Sequence, residues 1–135
     1  MIDVSAGLSD SIHKQIDASY YPDGWRRYMA RAIKEVFPDK IVMTSGNIRN
    51  PQSACEILEN QDADLIGMGR QTIANPSWSH KVKTGKIDEI RQYISCNIGC
   101  GGIVLDKIDQ SVVQLIQMFS MMIFIKNKKK IRKRM

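Results

Sequence analysis

Three short apolar segments, each running into a glycine-bearing loop and then into a helical segment, constrain this chain most. They lie at residues 2–4, 41–46 and 63–69, and each has the length of a strand rather than of a helix. Strands that alternate with helices predict βαβ units with a parallel sheet. The sequence therefore predicts an α/β fold in which the ends of all three strands meet at one edge.

The segments between these strands carry helical signals. Residues 24–37 place Trp25 and Ile33 on one apolar face at helical spacing. Asn50 followed by Pro51 has the pattern of an N-cap and a first helical position, which predicts a helix after the second strand. Residues 76–94 predict further helix after the third strand.

Charge divides the chain into two parts. Residues 1–100 contain 12 basic and 12 acidic residues, whereas residues 101–135 contain 8 basic and 2 acidic ones, so the tail carries the whole net charge of +6. Such a tail could bind nucleic acid or anionic lipid. We favour a basic tail with neither partner, partly disordered or helical. Residues 1–100 are expected to form the folded domain.

Cysteine content and hydropathy indicate the compartment. Cys55, Cys96 and Cys100 make an odd count, and the first ten residues lack the pattern of a secretory leader. The longest apolar run, residues 112–125, is shorter than the roughly 20 residues that span a bilayer. We therefore predict a cytoplasmic protein without a disulfide framework.

Glycine follows the second and third strands directly, at Gly46 and Gly69, and both loops open helices. Free N–H groups at helix N-termini favour anions, and glycine lacks the Cβ that would hold an anion away. Arg70 could add a bidentate charged contact. Either loop alone could be an ordinary turn, but two loops one βα unit apart predict a phosphate site at the strand ends.

The motifs DVSAG, IVMTSGNI and ADLIGMGRQTIANPSWSHKVKTGKIDEIRQYISCNIGC follow one another in an order that resembles the old yellow enzyme family of NADH:flavin oxidoreductases. The most similar branch contains 2,4-dienoyl-CoA reductase and enoate reductases. The resemblance covers residues 1–100 and implies the carboxyl-terminal part of a (β/α)8 TIM barrel, comprising its last three βα units. Residues 101–135 depart from the family pattern.

The resemblance also implies FMN as cofactor, with its phosphate held by backbone N–H groups of the last two strand-end loops. The family transfers a hydride from NAD(P)H to FMN and then to an activated C=C bond of a small-molecule substrate. The positions in this chain that match phosphate-binding or flanking positions of the family are Ser45, Gly46, Asn47, Met68, Gly69 and Arg70.

One motif departs from the branch that carries an iron–sulfur cluster. That branch has a C-x-x-C-x-x-x-C run with a further cysteine downstream. Here Tyr93 stands at the first position, Cys96 and Cys100 fit the second and third, and no cysteine follows. Because a [4Fe–4S] cluster takes four thiolates, we interpret the two cysteines as residual ligand positions and predict no metal in this chain.

The family's catalytic residues lie on strands that have no counterpart in this sequence, so no catalytic residue is assigned. A full barrel takes about 250 residues, and we expect the isolated chain to be poorly active or inactive. Three alternatives stay open: a half-barrel that complements an amino-terminal barrel partner chain, a non-enzymatic remnant, and another phosphate-binding (β/α)8 enzyme.

Five other residues have simpler expected roles. Trp78 is expected to pack a helix against the sheet, and Asp64 to accept hydrogen bonds at the start of its strand. Cys55 is expected to be a small core residue. His13 and His80 are expected to be solvated.

Overall fold

A computed structural model describes residues 1–97 and 122–125 of the chain. The three parallel strands are β1 (Ile2–Val4), β2 (Val42–Thr44) and β3 (Leu65–Met68). They pair in chain order, with Val4 opposite Thr44 and Thr44 opposite Ile66. The predicted α/β fold with a parallel sheet is confirmed for these three strands.

Helices follow each strand, as the alternation predicts. The α-helices are α1 (Arg27–Val36), α2 (Pro51–Glu59), α3 (Arg70–Ala74) and α4 (Trp78–Thr84), and two 3-10 helices lie at Ser9–Lys14 and Ile87–Glu89. Asn50 caps α2 as predicted, since its side chain accepts a hydrogen bond from the Gln52 N–H at 2.9 Å. No helix in the described ranges is long and apolar enough to cross a membrane.

The helix predicted for residues 76–94 is only partly correct. It ends at Gly85, which adopts the left-handed conformation (φ 77°) that commonly closes helices. Only a short 3-10 turn follows, and residues 90–97 are irregular. The reason is tertiary, because the side chain of Gln71 accepts a hydrogen bond from the Tyr93 N–H at 2.8 Å and draws this segment across the strand ends.

The hydrophobic core lies between one face of the sheet and the helices. Its buried members are Val4, Ala30, Val42, Ile48, Ala54, Ile57, Ala63, Ile66, Met68 and Trp78. Trp78 is 2% exposed and donates its indole N–H to the carbonyl oxygen of Arg49 at 3.0 Å. The predicted packing role of Trp78 is confirmed.

Asp64 connects the starts of two strands to α1. Its carboxylate accepts hydrogen bonds from the Val42 N–H at 2.9 Å and from the Lys34 ammonium group at 2.6 Å. The expected role of Asp64 at a strand start is therefore confirmed. This end of the sheet is fixed by charge pairs and lies opposite the strand ends that carry the candidate site.

A fourth strand comes from the basic tail. Strand β4 (Met122–Ile125) pairs antiparallel with β3, with Leu65 opposite Ile125. The tail was expected to be partly disordered or helical, and these four residues of it are extended, because the outer edge of β3 presents backbone N–H and C=O groups that a strand can pair. The other residues of the predicted tail lie outside the described ranges.

Gly24, in the turn before α1, provides a test of the packing. It has a φ of 63°, and a Cβ there would lie 2.6 Å from Cδ1 of Ile57. Gly24→Ala is expected to lower the free energy of unfolding by about 2–4 kcal/mol, through left-handed backbone strain and overpacking. Urea denaturation followed by circular dichroism measures this loss.

A double-mutant cycle separates the two causes. Ile57→Val removes Cδ1 and therefore the steric part of the effect. The double variant is expected to lose roughly 1 kcal/mol less than the sum of the single variants. Strict additivity would contradict the steric explanation.

Candidate functional site

The candidate site is built from the loops at the carboxyl ends of the parallel strands. Strands β2 and β3 are packed so closely there that a Cβ on Gly67 would lie 3.3 Å from Cβ of Ser45. Ser45 is half-buried at this junction, whereas the side chain of Met68 is 3% exposed and lies in the core. Both residues lie at a strand end, and their predicted positions beside the cofactor stay predictions.

The peptide groups that join Gly46 to Asn47 and Gly69 to Arg70 are oriented by hydrogen bonds to their carbonyl oxygens. The carbonyl oxygen of Gly46 accepts a hydrogen bond at 3.0 Å from a backbone N–H in the turn before α1. The carbonyl oxygen of Gly69 accepts one from the Thr72 N–H at 2.8 Å. Because the C=O and N–H of a trans peptide point in opposite directions, the N–H groups of Asn47 and Arg70 are directed away from those turns.

Arg70 projects its guanidinium group into a polar cluster at the ends of the strands. Its Nη1 donates to the carbonyl oxygen of Asp17 at 3.0 Å and to Oδ1 of Asn97 at 2.5 Å. The guanidinium carbon lies 5.1 Å from the centroid of the Tyr93 ring, within the range of a cation–π contact. The predicted anion-binding arginine is therefore held in place by groups from distant parts of the chain.

Asp17 and Arg26 form a buried ion pair beside Arg70. Asp17 is 2% exposed and Arg26 is 4% exposed, and their nearest oxygen and nitrogen atoms lie 2.8 Å apart. The carboxylate of Asp17 also accepts the indole N–H of Trp25 at 2.7 Å and lies 3.8 Å from the guanidinium group of Arg70. Trp25, which the sequence places on an apolar face, therefore also hydrogen-bonds this pair.

Asn47 adopts the left-handed conformation with a φ of 51°, which asparagine tolerates better than most residues. Its side-chain amide donates to the carbonyl oxygen of Tyr21 at 2.7 Å, and its Oδ1 accepts the hydroxyl of Ser95. Asn47 and Ser95 are both buried. These contacts fix the turn after β2 in one conformation.

The segment at residues 91–97 crosses the strand ends. The carbonyl oxygen of Arg91 accepts a hydrogen bond from Gln71 at 2.9 Å, and the amide of Asn97 donates to the carbonyl oxygen of Ile16 at 3.0 Å. Sequence reasoning treated this segment as helix followed by a cysteine motif. The contacts that place it join residues 20 to 81 positions apart, so no local pattern indicates them.

One part of the predicted anion site is wrong. The N–H groups at the start of α2 were expected to be free, but a carboxylate already binds them. Oδ2 of Asp23 accepts the N–H groups of Arg49 and Asn50 at 3.1 and 2.8 Å. Because an acidic side chain takes the favourable position near this helix end, the remaining candidates are the backbone after Gly46 and the loop at Gly69 and Arg70.

The cysteine and histidine residues contribute no metal site in the described part of the chain. There, no group of three or more His, Cys, Asp or Glu residues is arranged to hold a metal ion. Cys96 is exposed, and Cys100 lies outside the described ranges, so the absence of an iron–sulfur cluster stays a prediction. His13 and His80 are exposed, as expected.

Comparison with known proteins gives consistent matches. A family model described as the NADH:flavin oxidoreductase / NADH oxidase family matches residues 3–89. An NADH oxidase of Thermoanaerobacter brockii is 42% identical over 102 residues, which cover 76% of this chain and 16% of that protein. A metal reductase of Desulforamulus reducens is 33% identical over 99 residues, or 73% of this chain and 14% of that protein.

A bilirubin reductase of Clostridium symbiosum is 28% identical over 101 residues, which cover 75% of this chain and 27% of that protein. The chain therefore spans less than a third of the length of each of these three relatives. The family match begins within β1, at residue 3, and contains β2 and β3 with the loops that follow them.

Substitutions at Asn47 test how the turn after β2 is held. Asn47→Ala removes the hydrogen bonds to Tyr21 and Ser95 and places a side chain that disfavours positive φ in the left-handed region. The expected loss in the free energy of unfolding is about 2–4 kcal/mol. Asn47→Gly is expected to lose roughly 1 kcal/mol less, since glycine adopts this conformation without strain. Equal losses in urea denaturation would contradict a contribution from backbone strain.

The two described cysteines are expected to differ in reactivity. Burial raises the pKa of the Cys55 thiol, and the neighbouring Glu59 and Glu56 act in the same direction. Because the thiolate is the reactive form, alkylation of Cys55 at pH 8 should be slow in the folded chain and faster in urea. Exposed Cys96 should react at similar rates in both states. Iodoacetamide labelling with peptide mass spectrometry measures both rates, and equal acceleration of the two would contradict the expectation.

Proposed function

Because the chain belongs to the NADH:flavin oxidoreductase / NADH oxidase family, we propose that it is part of an FMN-dependent oxidoreductase and supplies the phosphate end of the flavin site. We infer that β1, β2 and β3 are the last three strands of a (β/α)8 barrel. Their parallel order, with a helix after each strand, supports this assignment. Because the chain belongs to this family, the alternative of an unrelated phosphate-binding (β/α)8 enzyme is excluded.

The observation that carries the proposal is the combination of charge and backbone donors at two adjacent strand ends. The N–H groups of Asn47 and Arg70 are directed away from the turns in which the carbonyl oxygens of Gly46 and Gly69 accept hydrogen bonds. Arg70 adds its guanidinium group, which lies in the polar cluster at the strand ends. Phosphate groups bound by proteins commonly accept hydrogen bonds from backbone N–H groups and from arginine side chains.

The donor set fits a phosphate ester. Arg70 carries a positive charge and can present two parallel N–H groups. The oxygens that now accept its hydrogen bonds belong to Asp17, Asn97 and Tyr93, and phosphate oxygens could replace acceptors of this kind. Ser45, Gly46 and Gly69 form the surrounding backbone in the proposed site.

FMN, when bound, would supply the redox chemistry by accepting a hydride from NAD(P)H and passing it to an activated C=C bond. The residues of this chain would bind and orient the phosphate and exclude water from it. We propose no catalytic residue here, because the described residues offer a binding arrangement rather than an acid or base at a reacting atom.

We further propose that activity needs barrel strands from an amino-terminal partner, which would pair with the outer edge of β1. Within the described strands β1 lies at the edge of the sheet, and an edge strand offers unpaired backbone groups. The isolated chain would then bind the phosphate end of the cofactor without reducing a substrate.

We propose that the protein works in the cytoplasm. We propose neither nucleic acid nor a membrane as a partner.

Flavin titration tests the phosphate site. FMN should bind more tightly than riboflavin, which lacks the phosphate, and Arg70→Ala should weaken FMN binding at least about tenfold because charge-assisted hydrogen bonds are lost. Flavin fluorescence measures both affinities. The matched control is Arg27→Ala, since Arg27 is 45% exposed and lies 3.8 Å from Glu56 in a surface ion pair.

Two results would contradict the proposal. One is equal binding of FMN and riboflavin by the folded wild-type chain. The other is FMN binding that Arg70→Ala leaves unchanged. Measurable reduction of an enoate by the purified isolated chain would contradict the expected need for a partner.

A further inference from the structure

Two arginines share one buried carboxylate at the proposed phosphate site. Asp17 binds Arg26 at 2.8 Å and lies 3.8 Å from Arg70, with side-chain exposures of 3% for Asp17, 5% for Arg26 and 17% for Arg70. The three side chains together carry one unbalanced positive charge. Since charges in the protein interior are normally paired, this excess favours an anion nearby.

Arg26 also contacts the loops that follow the other two strands. Its Nη2 donates to the carbonyl oxygens of Lys14 and Gln15 in the loop after β1. Its Cγ and Cδ lie 3.1 Å from the position that a Cβ on Gly46 would take. Arg26 therefore fills the space beside Gly46, whose φ of 123° only glycine adopts readily.

One donor of Arg26 has no partner in the described part of the chain. Its Nε is buried and makes no hydrogen bond there. The same Nε lies 3.3 Å from the position of a Gly46 Cβ. Arg26 therefore places a buried positive charge and an unsatisfied N–H next to the turn after β2. Both raise the positive electrostatic potential near the Asn47 N–H, which is part of the proposed anion site.

We propose that Arg26 is a positioning residue of the phosphate site. It acts through Gly46 and Asp17, and it fixes the turn after β2 and the guanidinium group of Arg70 relative to each other. This inference rests on the proposed function, because the anion in question is the flavin phosphate. Arg26 prepares the site and does not itself contact the phosphate.

Arginine is required by this geometry rather than by charge alone. A planar guanidinium group can donate to two loop carbonyls and a carboxylate while its methylene groups pack against a glycine. Lysine keeps the charge beside Asp17 but cannot make the same set of bonds. Methionine keeps much of the packing against Gly46 but removes the charge and every donor.

The test compares Arg26→Met, Arg26→Lys and the control Arg27→Met in the full chain. Fluorescence titration gives the affinities for FMN and for riboflavin. Arg26→Met should weaken FMN binding about tenfold and change riboflavin binding less than about twofold. The ratio of FMN affinity to riboflavin affinity should be intermediate in Arg26→Lys and equal to the wild-type ratio in Arg27→Met. A purely structural role would weaken both flavins equally.

Thermal unfolding provides a readout that needs no flavin. Inorganic phosphate should raise the melting temperature of the wild-type chain above its value in chloride at equal ionic strength. This difference should be smaller in Arg26→Met and unchanged in Arg27→Met. If Arg26→Met does not fold, Arg26→Lys carries the comparison, since it retains a cation beside Asp17.

The outcomes separate this inference from the proposed function. If Arg70→Ala abolishes the preference for FMN over riboflavin but the Arg26 variants retain it, the inference fails and the proposed function stands. If the Arg26 variants lose both flavins equally, Arg26 is only structural and the inference is also overturned. If the wild-type chain shows neither a preference for FMN nor stabilisation by phosphate, both fail.

Discussion

The buried contact between Asp17 and Arg26 is the interaction on which the end of the sheet depends. Taking two charges out of water is expensive, and the pair is tolerated because Trp25 donates a further hydrogen bond to Asp17 and Nη2 of Arg26 donates to a loop carbonyl. Removal of one partner of such a pair typically costs about 3–5 kcal/mol. Through Arg26 and Arg70, this one carboxylate connects the loops after β1, β2 and β3.

The sequence was sufficient to predict features that depend on neighbouring residues. The three strands, the start of α2 at its Asn50 cap and the packing of Trp78 follow from periodicity and local hydrogen bonding. The irregular conformation of residues 90–97 could not be predicted, because the side chain of Gln71, some 20 residues earlier, hydrogen-bonds backbone groups that a helix would otherwise use. Strand β4 was also missed, since the apolar pattern of residues 112–125 contains no information about which sheet edge it meets.

In the candidate site too, features that depend on neighbouring residues could be predicted, whereas contacts between distant residues could not. Glycine at the strand ends pointed to Gly46 and Gly69, and the adjacent arginine followed from the same motif. The buried charges were missed because Asp17 lies in a polar loop and Arg26 at the start of a predicted helix, where charged residues are normally solvated. Asp23 was missed as a cap because it lies 26 residues before the N–H group of Arg49 that it binds. Such partners become recognisable only when the loops are placed in three dimensions.

The antiparallel pairing of β4 has a consequence for assembly. The outer edge of β3 can bind only one neighbour, and in a closed barrel that neighbour would be a parallel strand from the opposite end of the sheet. Closure of a barrel and pairing with the tail are therefore mutually exclusive at this edge. If the proposed barrel forms, β4 would have to leave this edge before the ring of strands could close, so its pairing with β3 would compete with barrel completion within the same chain.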